Sequence, residues 1–317
     1  MRLVGMLEPT RDCPSPRRRA LHTRPADRSP AGRFADERGE PGTLTDRGLK
    51  WRLYSELQAA RRDRSLTAAA DALRGAVALE PGGPSELFGR LGLTPAYSRL
   101  AALDILDYAE RTLWSDDGQI DIKPRRRLIG EAGKLEAVAD HSYDALLASH
   151  VLEHLANPLG ALAEWQRVVR PGGHILLVVP HRDGTFDHLR PVTTLAHMRE
   201  DAERQTGEDD ATHREEILAL HDLELDPGAP SREVFEQRCR DNAETRSMHH
   251  HVFVTRTVVD LCRETGLEVL IVRPELPFNI LCLSRVPDGR NGEGIGDVEL
   301  QRILGASPFA SDRERAA

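Results

Sequence analysis

The chain has 317 residues and a formal net charge of −8, a balance that argues against a general nucleic-acid footprint. No apolar run approaches the roughly 18 residues needed to cross a bilayer, and the start lacks the apolar centre of a secretory signal, so the sequence reads as cytoplasmic with no membrane partner. Cys13, Cys239, Cys262 and Cys282 form no C-x-x-C pair, which excludes a zinc knuckle and a disulfide framework.

Residues 1–48 are rich in Arg, Pro, Asp and Gly without apolar periodicity, and are expected to be a disordered arm that cannot offset the entropy of ordering. A domain over residues 49–287 follows, and 288–317 is expected to be a flexible tail with a short helix around 298–304. Within the domain, 75–80 reads as a short strand, and Pro81-Gly82-Gly83-Pro84-Ser85 as a turn into a helix beginning near Glu86. Glycine suits such a turn because a ligand packed on the backbone leaves no room for Cβ. A second strand is expected over 100–105, ending near Asp104 and Asp107, and a third over 127–130, leading to Glu131 and Lys134.

The next stretch carries the strongest pattern. Residues 143–149 are short and continuously apolar after Asp144, as in a strand buried on both faces. Asn157 can cap a following helix, Pro158 suits its first position, and Pro171-Gly172-Gly173 ends it before a second apolar strand over 175–179. The text YDALLASHVLEHLANPLGALAEWQRVVRPGGHILLVVP resembles the fourth strand, following helix and fifth strand of class I S-adenosylmethionine-dependent methyltransferases, of the broad group acting mostly on small molecules. The resemblance extends more weakly over 76–286.

That resemblance implies an α/β fold: a doubly wound, mostly parallel seven-stranded sheet with a reversed last strand. It implies S-adenosylmethionine as cofactor and a small-molecule acceptor. The family's contacts to the methionine part of the cofactor carry over to Glu80, Gly82 and Gly83, although the full G-x-G-x-G spacing is absent. Asp104 is chosen as the strand-end carboxylate that accepts the ribose hydroxyls. Lys134 stands where similar proteins have an acid for the adenine amino group, and lysine cannot accept a hydrogen bond; Glu131 or backbone groups take that role. Ser149, His150 and His154 are placed on the cofactor side of the fourth strand's end.

His150-Val151-Leu152-Glu153-His154 also matches H-x-x-E-H, the inverted zinc-peptidase pattern, but that chemistry needs a helix through the motif, and here it ends a strand. A long segment then follows the fifth strand: residues 181–251 hold eight of the thirteen histidines. An insertion of that size is expected to be a lid or substrate-binding unit, with helices starting at Thr194, at a Thr212/Glu215 capping box and at Ser231, the last running to about Thr245. His181, Asp183 and His188 are the candidate catalytic groups because they follow the fifth strand directly. Imidazole and carboxylate at His181, Asp183, Asp187 and His188 suit divalent metal ions, and the run His249-His250-His251 reads as an exposed stretch without chemistry. A helix capped by Thr255 and ending at Gly266 and strands over 267–272 and 278–283 close the domain, the two strands antiparallel because their link is short.

Two readings follow: methyl transfer to a small-molecule acceptor, or a non-catalytic binding module on the same fold. Fold alone does not choose between them.

Overall fold

The computed structural model describes residues 63–112, 122–226, 228–290 and 294–316, so the expected arm 1–48 lies outside them. Seven strands form one sheet: β1 Val77–Pro81, β2 Ala102–Asp107, β3 Arg126–Ile129, β4 Tyr143–Ser149, β5 Val169–Pro180, β6 Glu268–Glu275 and β7 Asn279–Arg285. Their order is β3-β2-β1-β4-β5-β7-β6. β7 alone runs against its neighbours, while β1 to β5 pair in parallel. This is the doubly wound sheet with a reversed last strand that the sequence led us to expect.

The continuous apolar runs have a direct physical reason. Along β4, Leu146 and Ala148 enter the core on one face of the sheet, and Ala145 and Leu147 the core on the other. β5 does the same with Ile175, Leu177 and Val179 against Leu176 and Val178. A strand covered on both sides needs apolar residues at every position.

Among the described residues the helices are α1 Arg64–Asp71, α2 Pro158–Val168, α3 Leu195–Arg204, α4 Arg214–Leu220, α5 Arg232–Arg240, α6 Asn242–Thr245, α7 Thr255–Glu264, α8 Asp297–Gly305 and α9 Ala310–Glu314. Asn157 caps α2 by accepting from the Gly160 amide, and Pro158 occupies its first turn. Trp165 of α2 is fully buried and donates its indole N–H to the Ala132 carbonyl. None of the described helices is long and apolar enough to cross a membrane.

Several expectations are corrected. No α-helix follows the glycine turn; Glu86–Phe88 is a single 3-10 turn. The chain folds back so closely there that a Cβ on Gly92 would sit 2.1 Å from the Glu86 carbonyl oxygen, and two glycines within one turn weaken any helix. In the insertion, Thr194 and Ser231 cap α3 and α5 as expected. The Thr212 box does not form: the Thr212 hydroxyl donates to Asp210, and His213 stands at the cap of α4. The helix from Ser231 breaks at Asp241, giving α5 and α6.

The C-terminal segment is not a flexible tail. Leu300, Leu304 and Phe309 are buried, and Asp312 of α9 accepts from the Thr255 amide and hydroxyl at 3.1 and 2.6 Å. Its polar look in sequence hides three apolar anchors and one buried acid.

Candidate active site

At the C-terminal end of β1, Glu80 is fully buried. Its carboxylate accepts from the Tyr97 hydroxyl at 2.8 Å and from the Ser85 amide at 3.1 Å, which pins the turn Pro81–Ser85 against the strand end. Gly82 adopts a left-handed φ of +70°, and a Cβ there would meet Val151 Cγ2 at 2.6 Å; both constraints require glycine. A Cβ on Gly83 would meet the Glu80 carboxyl carbon at 2.4 Å. Ser85 donates its hydroxyl to Ser149 at the end of β4, 3.0 Å away. Glu80, Gly82, Gly83 and Ser149 are therefore brought together at one end of the sheet.

Burial pushes Glu80 up to about 8, against the lowering effect of the Tyr97 and Ser85 hydrogen bonds, from an ordinary value of 4.5. Between those values the native protein binds more protons than the unfolded chain, so stability falls as pH rises. The loss is expected to approach ~1.4 kcal/mol per pH unit across that window. Glu80→Gln is uncharged throughout and should flatten the slope. Thermal unfolding of both proteins at about pH 5 and about pH 8 checks this; parallel pH profiles would contradict it.

Asp104 does not lie at its strand's end. β2 runs two residues further than expected, to Asp107, and Asp104 sits mid-strand opposite Leu79 and Arg126. Its carboxylate accepts from Arg125 at 2.8 and 2.6 Å, from Arg126 at 3.0 and 2.6 Å and from the Tyr143 hydroxyl at 2.9 Å. Burial alone would raise its pKa, but these donors hold it well below the usual carboxylate range. Asp107 occupies the strand end instead. Burial raises it above the usual range, and its charge adds to the upward shift of Glu80.

Beyond β3, Glu131 accepts from Arg246 at 2.7 Å, and the Arg246 guanidinium lies 5.6 Å from the Tyr108 ring centre. Tyr108 donates its hydroxyl to the Thr245 carbonyl. The end of α6 is thereby tied to the loops after β2 and β3. Glu208 of the insertion joins the same region: it accepts from the Ala156 amide at 3.3 Å, and burial pushes it up to about 7.

After β4, His150 has a left-handed φ of 53°, and its Nε2 lies 3.1 Å from Asn279 Oδ1. That carbonyl accepts, so Nε2 carries the proton and Nδ1 is the acceptor. Burial pushes this histidine down to about 4, and the ring is neutral. Leu152–His154 is a 3-10 turn, so no helix runs through H-x-x-E-H, as the sequence reading required. Glu153 and His154 nonetheless face one another's neighbour His249.

His181 and Asp183 are both held against α9, whereas His188 pairs with another segment. The His181 ring is fully buried, stacked on Phe309 at 3.8 Å, with Nε2 3.3 Å from Asp312. The C-terminal helices cover it. Asp183 accepts from the Ser311 amide, and His188 faces Asp222 at 3.0 Å. The metal grouping of these residues with Asp187 is likewise not assembled, because Asp187 faces His249 and Arg190. The triple histidine is no exposed run: His250 and His251 are buried.

A surface cavity of about 370 Å³ borders Gly75, Asp144, Gly173 and His174. It lies at the opposite edge of the sheet, by the starts of β1 and β4, whereas open α/β sheets bind ligands outside the strands' C-terminal ends.

Residues 82–177 match the family described as "Methyltransferase domain", and they span the stretch from the glycine turn into β5. This stretch of the chain is similar to that methyltransferase family. Similar solved structures include an S-adenosylmethionine-dependent methyltransferase from Mesorhizobium loti, at 15% identity over 73% of this chain and 97% of that one, TM-score 0.42. One from Aquifex aeolicus gives 12% identity, 73% and 98% coverage, and TM-score 0.38. The 1,6-didemethyltoxoflavin-N1-methyltransferase of Burkholderia thailandensis gives 14%, 78% and 92%, and 0.39. No curated protein matches the chain.

At this end of the sheet, sequence reasoning did not anticipate Tyr97 or Glu208, nor that His249 meets Asp187 and Glu153. Tyr97 and Glu208 reach the site from segments with no motif. Glu153 and His249 sat inside patterns already in view, the H-x-x-E-H run and the triple histidine, but their pairing spans 96 residues of chain.

Proposed function

We propose that the protein transfers a methyl group from S-adenosylmethionine to a small-molecule acceptor. One observation carries the reading: Glu80, Asp107 and Ser149 stand together at the C-terminal ends of β1, β2 and β4, within and beside the matched family segment. These groups fit the cofactor chemically. Asp107 is an acceptor-only carboxylate when ionised, and among the described residues its side chain receives no hydrogen bond, which suits a ribose diol. The Gly82 turn brings bare backbone to the site, and Ser85 and Ser149 supply hydroxyls.

S-adenosylmethionine supplies an electrophilic methyl group on a positively charged sulfur. The chain's part is to hold and align. Glu80 fixes the turn, and Asp107 replaces Asp104 as the ribose acceptor. Arg246, Tyr108 and Glu208 close the adenine end, so that the insertion supplies the carboxylate absent at Lys134. His150, neutral and held through Nε2, offers Nδ1 to take a proton from the acceptor; it replaces His181, whose ring the C-terminal helices cover. The insertion 181–251 acts as a lid that excludes water.

The test is incubation of the full chain with methyl-labelled S-adenosylmethionine and fractionated small metabolites. Label appearing in one fraction, at a rate lowered by His150→Ala, supports the reading. S-adenosylhomocysteine binding with no transfer to any fraction would instead mark a binding module.

A further inference from the structure

We propose that Glu153, His154 and His249 form a binding site for a divalent transition-metal ion, with zinc the best match, beside the acceptor end of the methyltransferase site. Glu153 is fully buried, and neither of its carboxylate oxygens has a hydrogen-bond partner among the described residues. Such a group is costly unless a cation or donor meets it. One ligand atom from each of Glu153, His154 and His249 lies within 4.8 Å of the others, and the two rings meet edge to face at 4.6 Å.

The surroundings of the rings point the same way. His154 directs Nδ1 at the Met248 carbonyl, 3.0 Å away, so that nitrogen donates and Nε2 carries the lone pair. His249 directs Nδ1 at Asp187 Oδ2, 2.5 Å away, and Asp187 Oδ1 accepts from Arg190 at 2.9 Å. A metal-ligating histidine characteristically gives its other N–H to a carbonyl or carboxylate, which fixes the tautomer and ring orientation. Here both rings do so.

Two imidazoles and a carboxylate suit zinc and neighbouring divalent ions rather than magnesium or calcium. Three protein ligands leave a coordination position open, the pattern of catalytic rather than structural zinc. Glu153 and His154 lie on the turn that follows β4 and His150, and the His249 ring packs against His154. Resting on the methyl-transfer reading, this location makes the acceptor a compound with a hydroxyl group that the ion can bind and acidify, its proton passing to His150 Nδ1. The triad also explains why His249, distant in sequence, is folded back onto the loop after β4.

The measurement is titration of the metal-stripped full chain with zinc chloride, beside metal analysis of the protein as purified. Glu153→Gln and His249→Ala should each weaken zinc binding by well over tenfold, and Asp187→Asn by about 10- to 100-fold through His249. Glu153→Gln removes a buried charge and should fold at least as well as the parent. A second nitrogen cluster, in which His197 Nε2 and His213 Nε2 lie 3.0 Å apart near His251, provides the control. His197→Ala should leave the zinc affinity unchanged. Zinc binding absent from the parent, retained in both triad variants, or lost only in His197→Ala would overturn the proposal. S-adenosylhomocysteine titration of the same samples separates the two readings: its binding without zinc removes only the metal, and zinc binding without it removes only the cofactor assignment.

Discussion

Asp312→Ala is expected to cost about 3–5 kcal/mol of stability, the scale for removing one partner from a buried charged network. Asp312 is fully buried and accepts from the Thr255 amide, the Thr255 hydroxyl and the Ser307 hydroxyl, with His181 Nε2 3.3 Å away. Alanine fills none of these roles, so several donors at the start of α7 and on the loop before α9 lose their acceptor at once. Thermal unfolding should show a drop of several degrees per protein, roughly 2–4 °C for each kcal/mol in a domain of this size. Val298→Ala, at a position 88% exposed, should shift stability by no more than about 0.5 kcal/mol. Equal melting temperatures for Asp312→Ala and the parent would mean that α8 and α9 are not part of the fold.

The second large effect separates two aspartates three positions apart. Asp107→Ala should weaken S-adenosylhomocysteine binding by about 10- to 100-fold, because hydrogen bonds to a charged acceptor contribute about 1.5–3 kcal/mol. Asp104→Ala should leave that affinity nearly intact and instead destabilise the fold by about 1–3 kcal/mol, since the buried Tyr143 hydroxyl and two arginines lose their acceptor. Calorimetry on both variants, paired with denaturant unfolding, reads the two effects separately. The reverse pattern would return the ribose to Asp104.

The sheet was legible in the sequence wherever one physical requirement dominated. β4 and β5 had to be apolar throughout because both faces are covered, and Asn157 with Pro158 marked the start of α2 by local chemistry alone. The register of β2 was not legible: Leu100 to Leu106 is apolar but for Asp104, and no turn residue says where the strand stops. An acid inside such a run looks like a strand end until Arg125, Arg126 and Tyr143 are seen around it. The C-terminal helices were hidden for a similar reason, since Phe309 and Asp312 are anchored by Thr255 and His181, residues of other elements.

The histidines divide along the same line. His181 looked catalytic by its position after β5, and only the packing of Phe309 on its ring shows it covered. His249, His250 and His251 looked like a solvated run because their partners, Asp187, Asn242 and the Ala156 carbonyl, come from other segments of the chain. Patterning reports local geometry well and long-range pairing poorly, and this site is built mostly from the latter.

The most direct test of the central claim is calorimetric titration of S-adenosylhomocysteine into the full chain. The account predicts saturable one-to-one binding that Asp107→Ala weakens and Asp104→Ala does not. No binding by the folded parent protein, or binding that neither Asp107→Ala nor a blocked turn in Gly82→Val disturbs, would contradict it.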